Sequence, residues 1–332
     1  MSDYYGNKMK FKTAILLFAF YMAACQISNA FEIPERRKDQ YGKEFAYYFY
    51  PIAGEIPGLG SAAGGGGSVL NINGTDTDVT GYYINGDFKA AGIAALDIQL
   101  IPRRLVLDVG YNSYQVAPIQ YQRGIHSDPK DYYHPKAEGA YYIGQLTWSF
   151  SERRYETFIR ALDGKERLHE VLDAKGNAFQ GIDTDWYYRT SINVGGSIDL
   201  TDDRLDPRKG KRLELNIRLP QNEPSNNTEY FVTDLNATYY LPMRKWDTLV
   251  FNVFASHSFV TREGVTDFNT IKAQSGLNCP PTPGPERDSC LKTEADQINA
   301  TIAHRKYGTA SSLGGTQRLR SYNNYRFYAS IV

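Results

Sequence analysis

From residue 44 onward, apolar and polar side chains alternate with a period of two, the spacing of a strand that presents one face to each of two environments. Over residues 212–219, Leu213, Leu215, Ile217 and Leu219 share one face, and Arg212, Glu214, Asn216 and Arg218 share the other. Residues 105–114 set Leu105, Leu107, Val109 and Tyr111 against Asp108, Gly110 and Asn112. Residues 142–150 set Tyr142, Leu146, Trp148 and Phe150 against Gln145, Thr147 and Ser149. Residues 88–100 read as one unbroken run, with Phe88, Ala90, Ala94, Leu96, Ile98 and Leu100 opposite Lys89, Asp97 and Gln99. Segments 188–198, 231–241 and 249–259 repeat the pattern. Counting from Glu44, eleven candidate strands precede the longest loop, although a Gly-rich 61–68 and a turn-like 73–78 blur the first three.

Each run has about the 9–11 residues that a tilted strand needs to cross a bilayer. A soluble sandwich would also alternate. Two features favour a membrane: the polar faces carry charges in mid-strand, and the apolar faces end in Tyr, Trp or Phe, as interfacial girdles do. No later segment approaches 18 continuous apolar residues, so any membrane crossing is made by strands. Short turns follow the fourth strand (Pro102, Arg103, Arg104), the sixth (Ser151, Glu152, Arg153) and the tenth (243–247). Long polar loops follow the fifth (118–138), the seventh (164–186) and the eleventh (260–321). This asymmetry predicts an all-β fold, an antiparallel transmembrane β-barrel with a polar lumen and long extracellular loops.

Composition agrees: 26 Tyr, 16 Phe and 29 Gly with 42% hydrophobic residues suit a barrel better than a helical enzyme. The 37 basic and 37 acidic residues balance, so no nucleic-acid partner is indicated. Lys8, Lys10 and Lys12 precede the short apolar run 14–25, and Ser28, Asn29 and Ala30 offer small residues for cleavage. This predicts a signal peptide over 1–30, a short periplasmic lead-in over 31–43 and a barrel over 44–332. A loose lipobox at Met22–Cys25 leaves lipidation of Cys25 open.

Cys279 and Cys290 remain, eleven positions apart in a Pro/Gly-rich stretch. In an exported chain they read as a local disulfide, with two free thiols in a loop as the alternative. Histidines 126, 134, 169, 257 and 304 lack zinc spacing, and no Gly-x-Ser-x-Gly elbow is present, so neither a metal, a cofactor nor an enzymatic step is expected. Gly64–Gly67 lies in a strand pattern, where small residues allow close packing or a weak strand. The charges at Lys89, Asp97, Glu156, Arg160, Arg189, Arg212, Glu214 and Arg218 make either a solvated interior or an ion path.

The segment after the longest loop reads Leu313, Gly314, Gly315, Thr316, Gln317, Arg318, Leu319, Arg320, Ser321, Tyr322, Asn323, Asn324, Tyr325, Arg326, Phe327. It resembles the arginine-bearing loop motif of the BamA/TamA-type bacterial surface antigens, the outer-membrane barrels that insert or translocate proteins. The family pattern is an aliphatic residue, Arg, Gly, then Phe or Tyr. Leu319, Arg320 and Tyr322 match it, and Ser321 stands where the family has Gly. Gly314 and Gly315 upstream and Arg326 and Phe327 downstream also match. The stretch 203–210, with Asp206, Pro207 and Gly210, resembles the family's tight periplasmic turn. The resemblance covers residues 40–332.

The resemblance implies a barrel of about sixteen strands, of which about 12 are present, with the motif on the loop after the eleventh. It implies that Arg320 reaches into the lumen to an acidic partner. The family's partner strand is not in this sequence, so the expected partners are Asp97, Asp108, Glu214 or Asp234; a solvated loop arginine is the alternative. Family members carry POTRA modules before the barrel, and here only 31–43 separates signal and first strand. The chain stops at Ala329–Val332, in what the resemblance makes strand twelve, so a fragment and a reduced barrel both stay open. The implied function is insertion or translocation of proteins at the bacterial outer membrane, with outer-membrane lipid and client outer-membrane proteins as partners and no small-molecule substrate. The alternative is a passive pore or surface antigen.

Overall fold

The computed structural model describes residues 43–56, 60–118, 121–122, 132–173, 176, 178, 184–220, 227–244, 247–275 and 279–311. The expected signal peptide and residues 31–42 of the lead-in lie outside the described residues.

Eleven strands follow one another in a single antiparallel sheet, each hydrogen-bonded to its predecessor. They are β1 Ala46–Ile56, β2 Gly60–Leu70, β3 Asp78–Gly86, β4 Lys89–Ile101 and β5 Leu105–Pro118. After a two-residue β6, Tyr121–Gln122, which pairs only with β7, come β7 Tyr132–Phe150, β8 Tyr155–Leu172, β9 Tyr187–Thr201, β10 Gly210–Arg218, β11 Glu229–Pro242 and β12 Thr248–Arg262. The up-and-down order and strand count are those the alternation predicts. Among the described residues β1 and β12 are not paired with each other, so the sheet is a barrel wall with two edges.

The two faces differ in chemistry. In register across β4, β5 and β7, Ile93, Tyr111 and Tyr142 stand side by side and are exposed. Leu215 and Leu235 do the same across β10 and β11, as do Tyr239 and Phe251 across β11 and β12. Apolar exposure on this scale exceeds what a soluble protein shows to water and fits contact with lipid. The opposite face buries polar side chains instead: Thr147, Ser149, Glu156, Asp199, Ser256 and Ser258.

The Gly-rich strand β2 is closely packed. A Cβ at Gly64 would lie 2.0 Å from the Tyr83 carbonyl oxygen, so no larger residue fits without moving the backbone. The rings of Tyr50 and Phe49 lie over Gly66 and Gly67 respectively.

Two expectations need correction, and the long loop carries helices that its polarity did not announce. Residues 88–100 are not one unbroken run. The β4–β5 register slips between Ala95 and Ile98, and Asp97 adopts φ 55 there, which is a bulge. Upstream, Ile93 faces outward opposite Tyr111, while Ala90 and Ala94 lie opposite Tyr114 and Gly110; downstream, the even-numbered Ile98 pairs with Leu107. Phe88 is buried in the preceding turn. The alanines around the bulge fit either face, so the change of phase leaves no trace in the pattern.

The loops expected at 118–138 and 164–186 are shorter than that, because β7 and β8 run on through 132–138 and 164–172. Glu138 pairs across the ladder with Arg167, and Lys136 with Glu170. At about 3.3 Å per residue the 19-residue β7 exceeds a membrane crossing. Beyond the lipid nothing sorts the faces, and the alternation fades.

The long loop is not structureless. It carries α1, Phe268–Ser275, and α2, Pro285–Tyr307. The start and stop signals for α2 are present in the sequence: Pro285 in the first turn with Glu286 and Asp288, His304, Arg305 and Lys306 in the last, and Gly308 as the cap.

Candidate functional site

The polar face carries two clusters, one at the short-turn end and one at the long-loop end. The turn-end cluster is ionic. Lys43, the residue group that leads into β1, donates from Nζ to Asp78 at 2.7 Å and to Asp97 at 2.6 Å. Burial alone would depress this ammonium, but its hydrogen bonds to the two carboxylates outweigh that and hold it above the usual lysine range. The bulge aims Asp97 inward, where Asp97 Oδ1 also receives Arg153 Nη1 at 2.8 Å, and its amide donates to Asp108 at 2.7 Å. Arg153 Nε reaches Glu156 at 2.8 Å, and Arg204 Nη1 reaches the other Glu156 oxygen at 2.9 Å. Arg212 Nη2 donates to Asp199 at 3.0 Å and to the Arg204 carbonyl at 2.7 Å. The Thr201 hydroxyl sits between Asp199 Oδ1, 2.5 Å away, and the Asp203 carbonyl, 2.8 Å away.

The turn 202–209 is built on this cluster. Asp202 accepts from the backbone amides of Arg208 at 2.9 Å and Lys209 at 3.0 Å, and Asp203 accepts from the Leu205 amide at 3.0 Å. Asp206 lies at the exposed tip and pairs with Arg208 at 3.2 Å, and Pro207 follows it. Gly210 opens β10 at φ 119, and a Cβ there would lie 2.2 Å from the Leu200 carbonyl, so both conformation and space require glycine. Asp202, Asp203 and Arg204 were given no role by sequence reasoning, although the stretch 203–210 contains the last two. The Asx-turn signature of paired aspartates was the signal for the first two; nothing local announces Arg204.

The loop-end cluster is a set of hydrogen bonds, centred on the Asp234 carboxylate, that return the long loop to the polar face. Asp267 Oδ2 accepts from the Thr270 amide and hydroxyl, both at 2.8 Å, and so starts α1; these bonds, led by the amide, hold its carboxyl below the usual aspartate range. Ile271 of α1 and Ile298 of α2 are fully buried, and Lys272 pairs with Glu294 at 2.8 Å. Cys279 and Cys290 form a disulfide that ties the stretch before α2 to its first turns. From the last turn of α2 onward the chain docks on β10–β12 and the residues that flank them. The Arg305 carbonyl accepts from Thr228 Oγ1 and from the Gly264 amide, and the Tyr307 carbonyl accepts from Ser258 Oγ at 2.9 Å. The Ser311 amide donates to Ser256 Oγ at 2.9 Å, and Ser311 Oγ donates to Asp234 Oδ2 at 2.9 Å. Ser256 Oγ donates to the other Asp234 oxygen at 2.6 Å, and Arg218 Nη2 donates to Ser311 Oγ at 3.1 Å. Arg218, Ser256 and Ser311 were not singled out as a set, because they lie 93 positions apart at the extremes and no spacing links them.

Gly314, Gly315, Leu319, Arg320, Ser321, Tyr322, Arg326 and Phe327 lie outside the described residues. All four carboxylates expected to receive Arg320 are engaged within the described residues: Asp97 and Asp108 in the turn-end cluster, Asp234 by Ser256 and Ser311, and Glu214 by Asn236 at 2.9 Å. Among the described residues no group of three or more His, Cys, Asp or Glu side chains is placed to hold a metal ion. The arrangement can shape a lumen and hold a loop within it.

Comparison with known proteins bears on this geometry. No curated protein sequence matches the chain. Among solved structures, the chain is similar to the crystal structure of BamA from Haemophilus ducreyi lacking POTRA domains 1-3, at 12% identity and a TM-score of 0.44, over 67% of this chain and 42% of that one. The chain thus spans less than half the length of that structure. The Omp85 superfamily domain matches residues 103–276, from the β4–β5 turn to the end of α1 and beyond half of the chain. The protein belongs to the Omp85 superfamily.

Proposed function

We propose that the chain forms the wall of an outer-membrane barrel that assists insertion or translocation of proteins in a bacterium. The observation that carries this reading is the docking of the long loop on the inner face. Ser311 is held by Ser256, Asp234 and Arg218, and the arginine-bearing motif begins two residues later in sequence. A loop returned to the lumen leaves the barrel filled and shaped rather than open. The edge of β1 that pairs with no strand among the described residues then offers its backbone groups to an incoming strand, which pairs by β-augmentation. Arg320 and Tyr322 secure the loop, Arg320 through a carboxylate of the inner face. The partners are outer-membrane lipid and client outer-membrane proteins, and no chemical step is required.

The test is Arg320→Ala in the full-length protein, read as the rate at which a client barrel folds into liposomes of outer-membrane lipid. Loss of client folding together with weaker heat-modifiable gel mobility supports the reading. An altered ion conductance with client folding unchanged would instead identify a passive pore.

A further inference from the structure

We propose that Lys43, Asp97, Arg153, Glu156 and Arg204 form a latch that positions the turn end of the edge strand β1 and couples it to the β9–β10 turn. These residues come from five places: the lead into β1, the β4 bulge, the β7–β8 turn, β8 and the β9–β10 turn. Their successive contacts measure 2.6, 2.8, 2.8 and 2.9 Å, so the chain of charges is unbroken. It does not follow the strand ladder. From Asp97 to Arg153 it crosses the polar face past β5 and β7, a contact between residues 56 positions apart.

Three further observations make it more than a surface network. Arg153 and Glu156 are shielded, with side chains 11% and 6% exposed, so salt screens their contact far less than that of an exposed pair. The turn that carries Arg153 places Ser151, Glu152 and Arg153 at φ 50, 55 and 60. Three consecutive L-residues in the left-handed region are unfavourable and persist only where their surroundings impose them. The pairing of Phe150 with Tyr155 closes this turn, and the grip of Asp97 and Glu156 on the Arg153 guanidinium adds a hold from the polar face. Finally, β1 has only β2 as a strand partner among the described residues. Its turn end is fixed by Lys43, whose amide also donates to Asp76 at 3.2 Å and whose carbonyl accepts from Asn71. A shift of the β9–β10 turn therefore reaches the edge of β1 through side chains rather than through the sheet. Arg153 and Glu156 are positioning residues, acting on that edge through Asp97 and Lys43. The inference rests on the reading that the β1 edge receives a client strand, but the coupling itself does not depend on any activity.

Hydrogen exchange of the full-length protein in detergent micelles tests it. Arg204→Ala and Glu156→Gln are each expected to speed exchange over residues 43–48 and 76–78 by about tenfold, within the usual range of intramolecular coupling. Arg204 touches neither segment. Glu152→Ala, which removes an exposed pair with Arg103 at the same end, leaves those segments unchanged. Acceleration confined to 199–212 in Arg204→Ala, or an equal response in Glu152→Ala, overturns the latch. If Arg204→Ala exchanges fast in every strand, it has unfolded, and Glu156→Gln, which keeps the side-chain shape, decides. If both unfold, Arg204→Lys, which keeps the charge but shortens the reach to Glu156, decides: faster exchange at 43–48 than at 305–311 supports the latch, and an equal response overturns it. Client folding measured on the same variants separates the two ideas. Coupled exchange without any client folding by wild type leaves the latch standing and removes the proposed function.

Discussion

The two ends of the polar face solve one problem with different chemistry. At the short-turn end, side chains from five segments meet as alternating charges with carboxylates that are almost inaccessible: Glu156 and Asp199 side chains are 6% and 2% exposed. At the long-loop end, serine and threonine hydroxyls hold backbone carbonyls and amides of the returning loop, with Asp234 as the shared acceptor. Charged pairs taken from water are costly to break, because removing one partner strands the other. Hydroxyl-to-backbone bonds exchange with water at small net cost, while the bonds to the Asp234 carboxylate and from Arg218 are charge-assisted and stronger. The turn end thus rests on buried ion pairs, and the loop end mixes hydroxyl-to-backbone bonds with charge-assisted ones gathered at a single carboxylate.

The largest test of this contrast is Arg212→Ala. It removes the guanidinium from buried Asp199, and about 3 kcal/mol of stability is expected to go with it, the low end for a broken buried pair because Thr201 still bonds that carboxylate. Urea unfolding in detergent reads the loss; a change under 1 kcal/mol would mean that the turn end is solvated and the contrast false. Next in size is the disulfide. Cys290→Ser is expected to weaken the loop by about 2–3 kcal/mol in the chain-entropy account of a short ring. It should open 279–290 to protease on intact cells while the β9–β10 turn stays resistant. Cleavage in that turn instead would place the loop on the wrong side. Ser311→Ala is smaller, about 1.5 kcal/mol, the low end for a bond to a charged group because Ser256 still bonds the Asp234 carboxylate. Its effect should appear as faster amide exchange at 305–311 and nowhere at the turn end.

The smallest effect is at the α1 cap. The folded carboxyl of Asp267 lies below its ordinary value, so the cap stabilises the helix above the unfolded value of about 3.9. That contribution is lost as pH falls through the depressed folded value. The Thr270 amide resonance should move over that acidic window and hold still from pH 5 to 8. Movement near neutrality would assign the change to another group.

Much of the site could be read in advance, and the rest could not, for identifiable reasons. Leu213, Leu215 and Ile217 against Glu214 and Asn216 announce their strand because pleating is local and lipid enforces it. Cys279 and Cys290 point to their bond because eleven positions separate them in a chain read as exported, with two free thiols as the alternative that the structure removes. The ends of α2 were marked by Pro285, Glu286, Asp288 and Gly308, and the loop's overall polarity obscured them. By contrast, the small residues Ala94 and Ala95 conceal the bulge that aims Asp97 inward, and only the pairing of β4 with β5 exposes it.

The sequence by itself determined the strand order, the two-faced alternation and the short-turn and long-loop sides, and it favoured the local disulfide, since each depends on neighbours within a few residues or on one ladder. Tertiary structure alone decided which charges meet. Arg153 reaches Asp97 across two intervening strands, and Arg218 reaches Ser311 across a loop, because curvature and register accumulated over many strands bring distant positions of one face together. No local spacing records that sum.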